Sequence, residues 1–116
     1  MEDELVASGR FVRIEMRGAT SGRVRAVTVG FVEDGDSVLV AAGSSGTAWA
    51  RDLLAEPACR VRIGDRTFEA TAEPLDDGDH ARAVRELILR YGTPAESLGH
   101  GPSFRLRPVE PAEAER

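Results

Sequence analysis

The feature that most constrains this chain is a two-residue alternation of apolar and polar side chains, repeated in short stretches that turn residues cut apart. Val12, Ile14 and Met16 alternate with Arg13, Glu15 and Arg17, the period of a strand with one buried face. Cys59, Val61 and Ile63 do the same against Arg60 and Arg62, and Phe68, Ala70 and Ala72 against Thr67, Glu69, Thr71 and Glu73. Phe104 and Leu106 repeat the pattern against Arg105 and Arg107. The breaks are residues 18–22, Asp34-Gly35-Asp36 and Gly64-Asp65, all rich in residues that favour turns. The alternation predicts strands near 10–17, 24–33, 37–42, 59–63, 66–74 and 103–109, with residues 9–42 as one antiparallel meander.

Two stretches have a helical period instead. Thr47 stands where an N-cap would begin a short helix to Ala55, and Pro57 follows. Asp76, Asp77 and Asp79 favour a second helix start. Its expected apolar stripe is Ala81, Val84, Leu87, Ile88 and Tyr91, with Gly92 as the stop. Residues 93–102 read as loop or broken helix. About six antiparallel strands and two or three helices predict a mainly β chain, a small closed or partly closed barrel with flanking helices, because closure removes edge strands. A length of 116 residues predicts one domain over 1–109, with 110–116 a polar tail.

Charge and composition exclude several functions. The net charge of −5 argues against a nucleic-acid partner. No apolar run approaches the ~18 residues of a membrane span, and the acidic start Met1-Glu2-Asp3-Glu4 does not resemble a secretory leader, so a cytoplasmic protein without integral membrane association is expected. With one cysteine and two histidines, neither a disulfide nor a metal site is expected. All 15 basic residues are arginine. Arg10, Arg13, Arg17, Arg23 and Arg25 crowd one segment, opposed there by Glu15 alone. Such a strip suits either a compact polyanionic ligand or a solvated strand face.

Familiar catalytic patterns are missing. Residues 18–23 lack the Gly-Lys-Ser/Thr of a phosphate loop. Gly43-Ser44-Ser45-Gly46 is one residue short of a nucleophile elbow. Cys59 alternates in phase with Val61 and Ile63, which makes it a wall residue. His80 and His100 have no neighbouring acid–nucleophile arrangement and read as solvated. No catalytic residue is assigned, and Tyr91 reads as packing more than as a proton donor.

Two features can carry binding. In Gly18-x-x-Ser21-Gly22-Arg23-x-Arg25, turn amides, a hydroxyl and two arginines would serve either as a nest for phosphate or carboxylate oxygens or as a plain hairpin connection. The loop Ser44-Ser45-Gly46-Thr47 opens onto a helix N-terminus, where backbone donors collect. That helix carries Trp49, the only tryptophan, either as core or as a wall for a flat ring.

Three stretches together resemble the deazaflavin-dependent nitroreductase and quinone reductase family, a branch of the FMN-binding split β-barrel superfamily. They are residues 18–25, residues 60–66 and, most specifically, Trp49-Ala50-Arg51-Asp52-Leu53-Leu54-Ala55-Glu56-Pro57. The resemblance covers roughly residues 9–109. It implies a split β-barrel that binds the 8-hydroxy-5-deazaflavin coenzyme F-420, with a polyanionic phospholactyl-oligoglutamate tail, and passes a hydride to an electron-poor small-molecule acceptor such as a quinone, nitro compound or enone. By motif match Ser21, Gly22 and Arg25 would hold the phosphate, with Arg23 replacing the family's usual lysine. Ala42, Gly43, Ser44 and Ser45 would line the coenzyme, and Trp49 would shape its pocket. FMN is the alternative cofactor, and a non-catalytic binder of a coenzyme or flat ligand the alternative function. Superfamily analogy implies a homodimer.

Overall fold

The computed structural model describes residues 2–18, 22–44 and 46–109. The elements in chain order are α1 (Glu2–Ala7), β1 (Val12–Arg17), β2 (Val24–Val29), β3 (Val32–Asp34), β4 (Ser37–Ala41), α2 (Ala48–Ala55), β5 (Ala58–Ile63), β6 (Arg66–Pro74), α3 (Asp77–Tyr91), a 3-10 helix (Thr93–His100) and β7 (Ser103–Pro108). The seven strands form one antiparallel sheet in the order β2-β1-β5-β6-β7-β4-β3. The expected polar tail, 110–116, lies outside the described residues.

The alternation does what it predicts. β1 and β5 bury every second residue. Their buried members meet Phe104 and Leu106 of β7 in one core cluster inside the curl of the sheet. β4 departs from the rule, for all five of its residues are buried. Val38 and Val40 enter the inner core, while Leu39 and Ala41 face a second cluster under Ala83 and Leu87 of α3. A strand covered on both faces has no reason to alternate.

The stretch 24–33 is not one strand, and 9–42 is not one meander. β2 ends at Val29 and β3 begins at Val32, yet they lie at opposite ends of the sheet. Three Cα steps span at most ~11 Å. The sheet must therefore curl until its outer strands meet, and this makes the split barrel. Gly30 and Phe31 form the joint. A Cβ at Gly30 would stand 2.9 Å from the Tyr91 ring, so glycine is needed there. The Tyr91 hydroxyl donates to the Arg10 carbonyl at 2.7 Å and accepts from the Phe31 amide at 3.1 Å. The chain thus has seven strands among the described residues because the joint divides one expected strand into two.

The helices also depart in detail. α1 was not expected. Its Val6 is buried, and the Val6 carbonyl accepts from the Gly64 amide at 2.7 Å, which holds the helix on the β5–β6 turn. In α3 the Asp76 side chain caps by accepting from the Asp79 amide at 2.8 Å. The buried stripe runs through Ala83 and Leu87 with His80, Val84, Ile88 and Tyr91 beside it, whereas Ala81 is exposed. Among the described residues no helix is long and apolar enough to cross a membrane.

Candidate functional site

Side chains directly opposed in an antiparallel pair share a face. Val27 opposes Ile14 and Arg25 opposes Met16, so Arg25 projects from β2 on the face that carries the core. There the sheet runs out of covering residues, and α2 closes one side. Met16, Arg25, Val27, Thr47 and Trp49 line a hollow of about 270 Å3. Trp49 packs on the core and also borders the hollow. Its ring is tilted 51° against Phe104 at a centroid distance of 6.1 Å, and it is half-buried, with part of its surface walling the hollow.

One helical turn beyond Trp49 lies Asp52, whose side chain is 7% exposed. Arg25 Nε stands 3.1 Å from Asp52 Oδ2, while 51% of the Arg25 side chain remains exposed. A buried carboxylate needs a compensating cation. Arg25 therefore balances Asp52 on one side and presents positive charge at the rim on the other. Asp52 was not among the expected site residues. A charged residue on the buried stripe of a short helix, beside Ala50 and Leu53, is the pattern that points to it.

In the turn after β1 the described backbone at Gly18 and Gly22 is bonded within the turn. The Gly18 amide donates to the Arg23 carbonyl at 2.7 Å, and the Gly22 amide to the Gly18 carbonyl at 3.0 Å. Arg17 Nη1 donates to the Gly22 carbonyl at 2.6 Å. Gly22 takes φ +71°, which explains the glycine. Its amide is spent within the turn and is not presented to a ligand. Ser21 lies outside the described residues. Arg23 is exposed and precedes β2. The arginine strip is divided by the pleat, since Arg13 and Arg17 lie on the opposite face from Arg25.

The loop after β4 is anchored from behind. The Ala42 amide donates to the Pro102 carbonyl at 2.8 Å, and Ala42 is buried. Gly101 abuts it so closely that a Cβ would collide with the Ala42 carbonyl and the Ser44 amide. Gly43 and Ser44 are exposed, and Ser45 lies outside the described residues. Thr47 holds the N-cap position, yet its side chain makes no cap. Its hydroxyl lies 3.2 Å from that of Ser44. Thr47 and Trp49 join Arg25 at the hollow, while Gly43 and Ser44 lead up to it.

The remaining titratable candidates are structural. Cys59 is buried, and burial, with the Glu69 charge as a lesser cause, pushes its thiol up to about 11. His80 is not solvated. Its Nδ1 lies 2.7 Å from the Ser103 hydroxyl and its Nε2 3.1 Å from the Gly99 carbonyl, which can only accept, so Nε2 carries a proton toward it. The ring ties α3 to the 3-10 helix and β7. His100 is exposed. Among the described residues no three His, Cys, Asp or Glu side chains converge to hold a metal.

A model of the F420H(2)-dependent quinone reductase family matches residues 6–95. That stretch includes β1, β2, α2 and every described residue of the hollow. An F420H(2)-dependent quinone reductase of Mycobacterium tuberculosis is 31% identical over 71 residues, covering 56% of this chain and 48% of its own. The chain thus spans about half the length of the curated relatives it matches. Among solved structures, an F420-H2 dependent reductase superposes with a TM-score of 0.71 at 23% identity, over 84% of this chain and 94% of that one. A second, described as a domain-swapped dimer, gives 0.71 at 20% identity over 90% and 92%. These likenesses share the split-barrel fold, and the match over residues 6–95 shows that the chain belongs to the F420H(2)-dependent quinone reductase family.

Proposed function

We propose that the protein is an oxidoreductase that binds reduced coenzyme F-420 beside Trp49 and reduces an electron-poor small molecule, a quinone first of all. The observation that carries this reading is the hollow itself. Met16, Val27 and Trp49 give it apolar walls, and Arg25 sets a half-exposed guanidinium at its rim. Apolar walls with one cation suit a flat ring that bears an anionic arm. When bound, the coenzyme supplies the hydride.

The chain's own part is position and electrostatics. Trp49, braced by Phe104, offers a rigid face. Arg25, steadied by Asp52, attracts the anionic arm, and Arg23 and Ser21 stand near enough in sequence to share that task. Gly43 has no heavy atom within 4 Å of a would-be Cβ, so a ligand can approach the backbone there. Ser44 stands exposed beside it, and Ala42 and Ser45 are carried to the coenzyme's lining by the motif match alone. Tyr91 is spent on the Arg10 and Phe31 backbone and moves no proton. We place the protein in the cytoplasm as a homodimer, in keeping with the solved neighbour described as a dimer.

The test is a titration followed by Trp49 fluorescence, with coenzyme F-420 and FMN in parallel, and then oxidation of the reduced coenzyme by a soluble quinone. Quenching by F-420 and coenzyme oxidation that depends on enzyme are the expected results. Tight retention of FMN without response to F-420 would replace the coenzyme in this reading. Binding of F-420 with no acceptor turned over would make the protein a carrier.

A further inference from the structure

The other face of the sheet carries a pattern that the hollow does not use. Strand register decides which side chains stand abreast. Across β2, β1, β5 and β6 one row reads Thr28, Arg13, Arg62, Thr67. The next row reads Ala26, Glu15, Arg60, Glu69. Directly opposed residues on adjacent strands are about 4.5–5.5 Å apart, and like charges there are destabilising. Arg13 and Arg62 form such a pair.

Their surroundings compensate only in part. Arg13 Nη2 lies 3.3 Å from Glu15, and Arg60 Nε lies 2.8 Å from Glu69. Arg62 has no ion pair or side-chain hydrogen bond among the described residues. Arg13, Glu15, Arg60, Arg62 and Thr67 line a depression of about 290 Å3. Glu15 and Glu69 thus answer Arg13 and Arg60, and the Arg62 guanidinium is the positive charge left unmatched in the depression, on a chain whose net charge is −5.

We propose that this depression is a binding site for a phosphate group, held by Arg62 and Arg13 with the hydroxyls of Thr67 and Thr28 on either flank. Two guanidinium groups abreast match a dianion with several acceptor oxygens, where a single carboxylate would leave one of them unmatched. A bound phosphate turns the cross-strand repulsion into attraction. The volume is near the lower end for small-molecule sites and suits a compact phosphate monoester. Arg25 lies on the opposite face of β2, so this site stands independently of the coenzyme reading.

Inorganic phosphate is the probe, added to the full chain against sodium chloride of matched ionic strength, with binding read by calorimetry and by melting temperature. Saturable binding of one phosphate per chain is expected. Arg62→Gln and Arg13→Gln should each weaken it at least tenfold, and Arg85→Gln on α3 should leave it unchanged. Arg62→Gln should also melt at a higher temperature than the parent when phosphate is absent, which a merely disrupted fold would not do. Equal binding by Arg62→Gln overturns the proposal. So does a melting shift that matched chloride reproduces. Loss of binding in Arg25→Gln with retention in Arg62→Gln would place the phosphate at the hollow instead. Dissociation of a dimer by Arg62→Gln, with no phosphate bound by the parent, would make the face an interface between copies.

Discussion

Arg25 has two obligations, one to Asp52 and one to whatever enters the hollow. Arg25→Ala removes both. Coenzyme affinity should fall by about 1.5–3 kcal/mol, the range for a hydrogen bond to a charged group. Stability should also fall, by less than the ~3–5 kcal/mol of a fully buried broken pair, because half of the Arg25 side chain is already screened by water. Titration calorimetry and denaturant melts separate the two losses. Asp52→Asn keeps the shape and removes the charge, so it should disturb stability less than Arg25→Ala does. Cys59 offers a pH prediction. Its thiol is raised to about 11 from an ordinary 9.0. The unfolded thiol therefore ionises while the folded one stays protonated. The stabilising contribution is full below pH 9 and is lost between pH 9 and 11, about 2–3 kcal/mol in all. Cys59→Ala should flatten the stability profile across that window. Rapid labelling of the native thiol at pH 8 would show that it is not buried.

Between elements, two contacts control how α3 sits on the sheet. Tyr91 is the first. Tyr91→Phe leaves the Phe31 amide without its partner, at a cost of about 1–3 kcal/mol, and should leave turnover per folded molecule unchanged. A loss of turnover at constant melting temperature would return Tyr91 to the chemistry. Asp34 is the second. Arg105 Nη1 lies 2.7 Å from it and Arg82 Nη2 3.2 Å, tying the β3–β4 hairpin to β7 and α3. The hydrogen bond from Arg105, then that from Arg82, holds its carboxyl below the usual 3.8. Its stabilisation is present above pH 3.8 and disappears as pH falls through the lowered value. Asp34→Asn should therefore melt lower at pH 7 and lose less than the parent on acidification below pH 4. At this scale the sequence is only partly readable. Strands with one covered face announce themselves, as β1, β5 and β6 do. β4 does not, because helix and barrel cover both its sides. His80 was hidden because a polar residue on a helix stripe looks like a solvent position until the carbonyl and hydroxyl that satisfy it are in view.

For the whole molecule, the barrel was legible from strand count and alternation, but its closure was not. Nothing local in Val24–Glu33 marks a departure from one sheet edge for the other, since the reason is Tyr91, sixty residues away from Phe31. The hollow was legible as a neighbourhood, through Trp49 and Arg25. Its floor, Met16, and its buried counter-charge, Asp52, depend on register and helix phase. β2 is the strand left most open, with no fully buried residue. Hydrogen exchange should find its amides the least protected of the strands that flank the core. If the protein pairs with a second copy through β2, that protection should rise with concentration.

The joint at Gly30 and Phe31 also limits how relatives of this chain can vary in length. One ribbon supplies both rims of the sheet, so a residue gained or lost within β2 cannot be absorbed where it occurs. It re-phases the far rim, turning Val32 outward and Glu33 inward, and takes Asp34 from its arginines. Insertions are free to accumulate in the turn after β1 or in the segment between α3 and β7, where an added residue lengthens a connection without changing the phase of a strand. The two residues of the joint act as a fixed gauge, and natural variation should leave their spacing alone even where it rewrites the pocket.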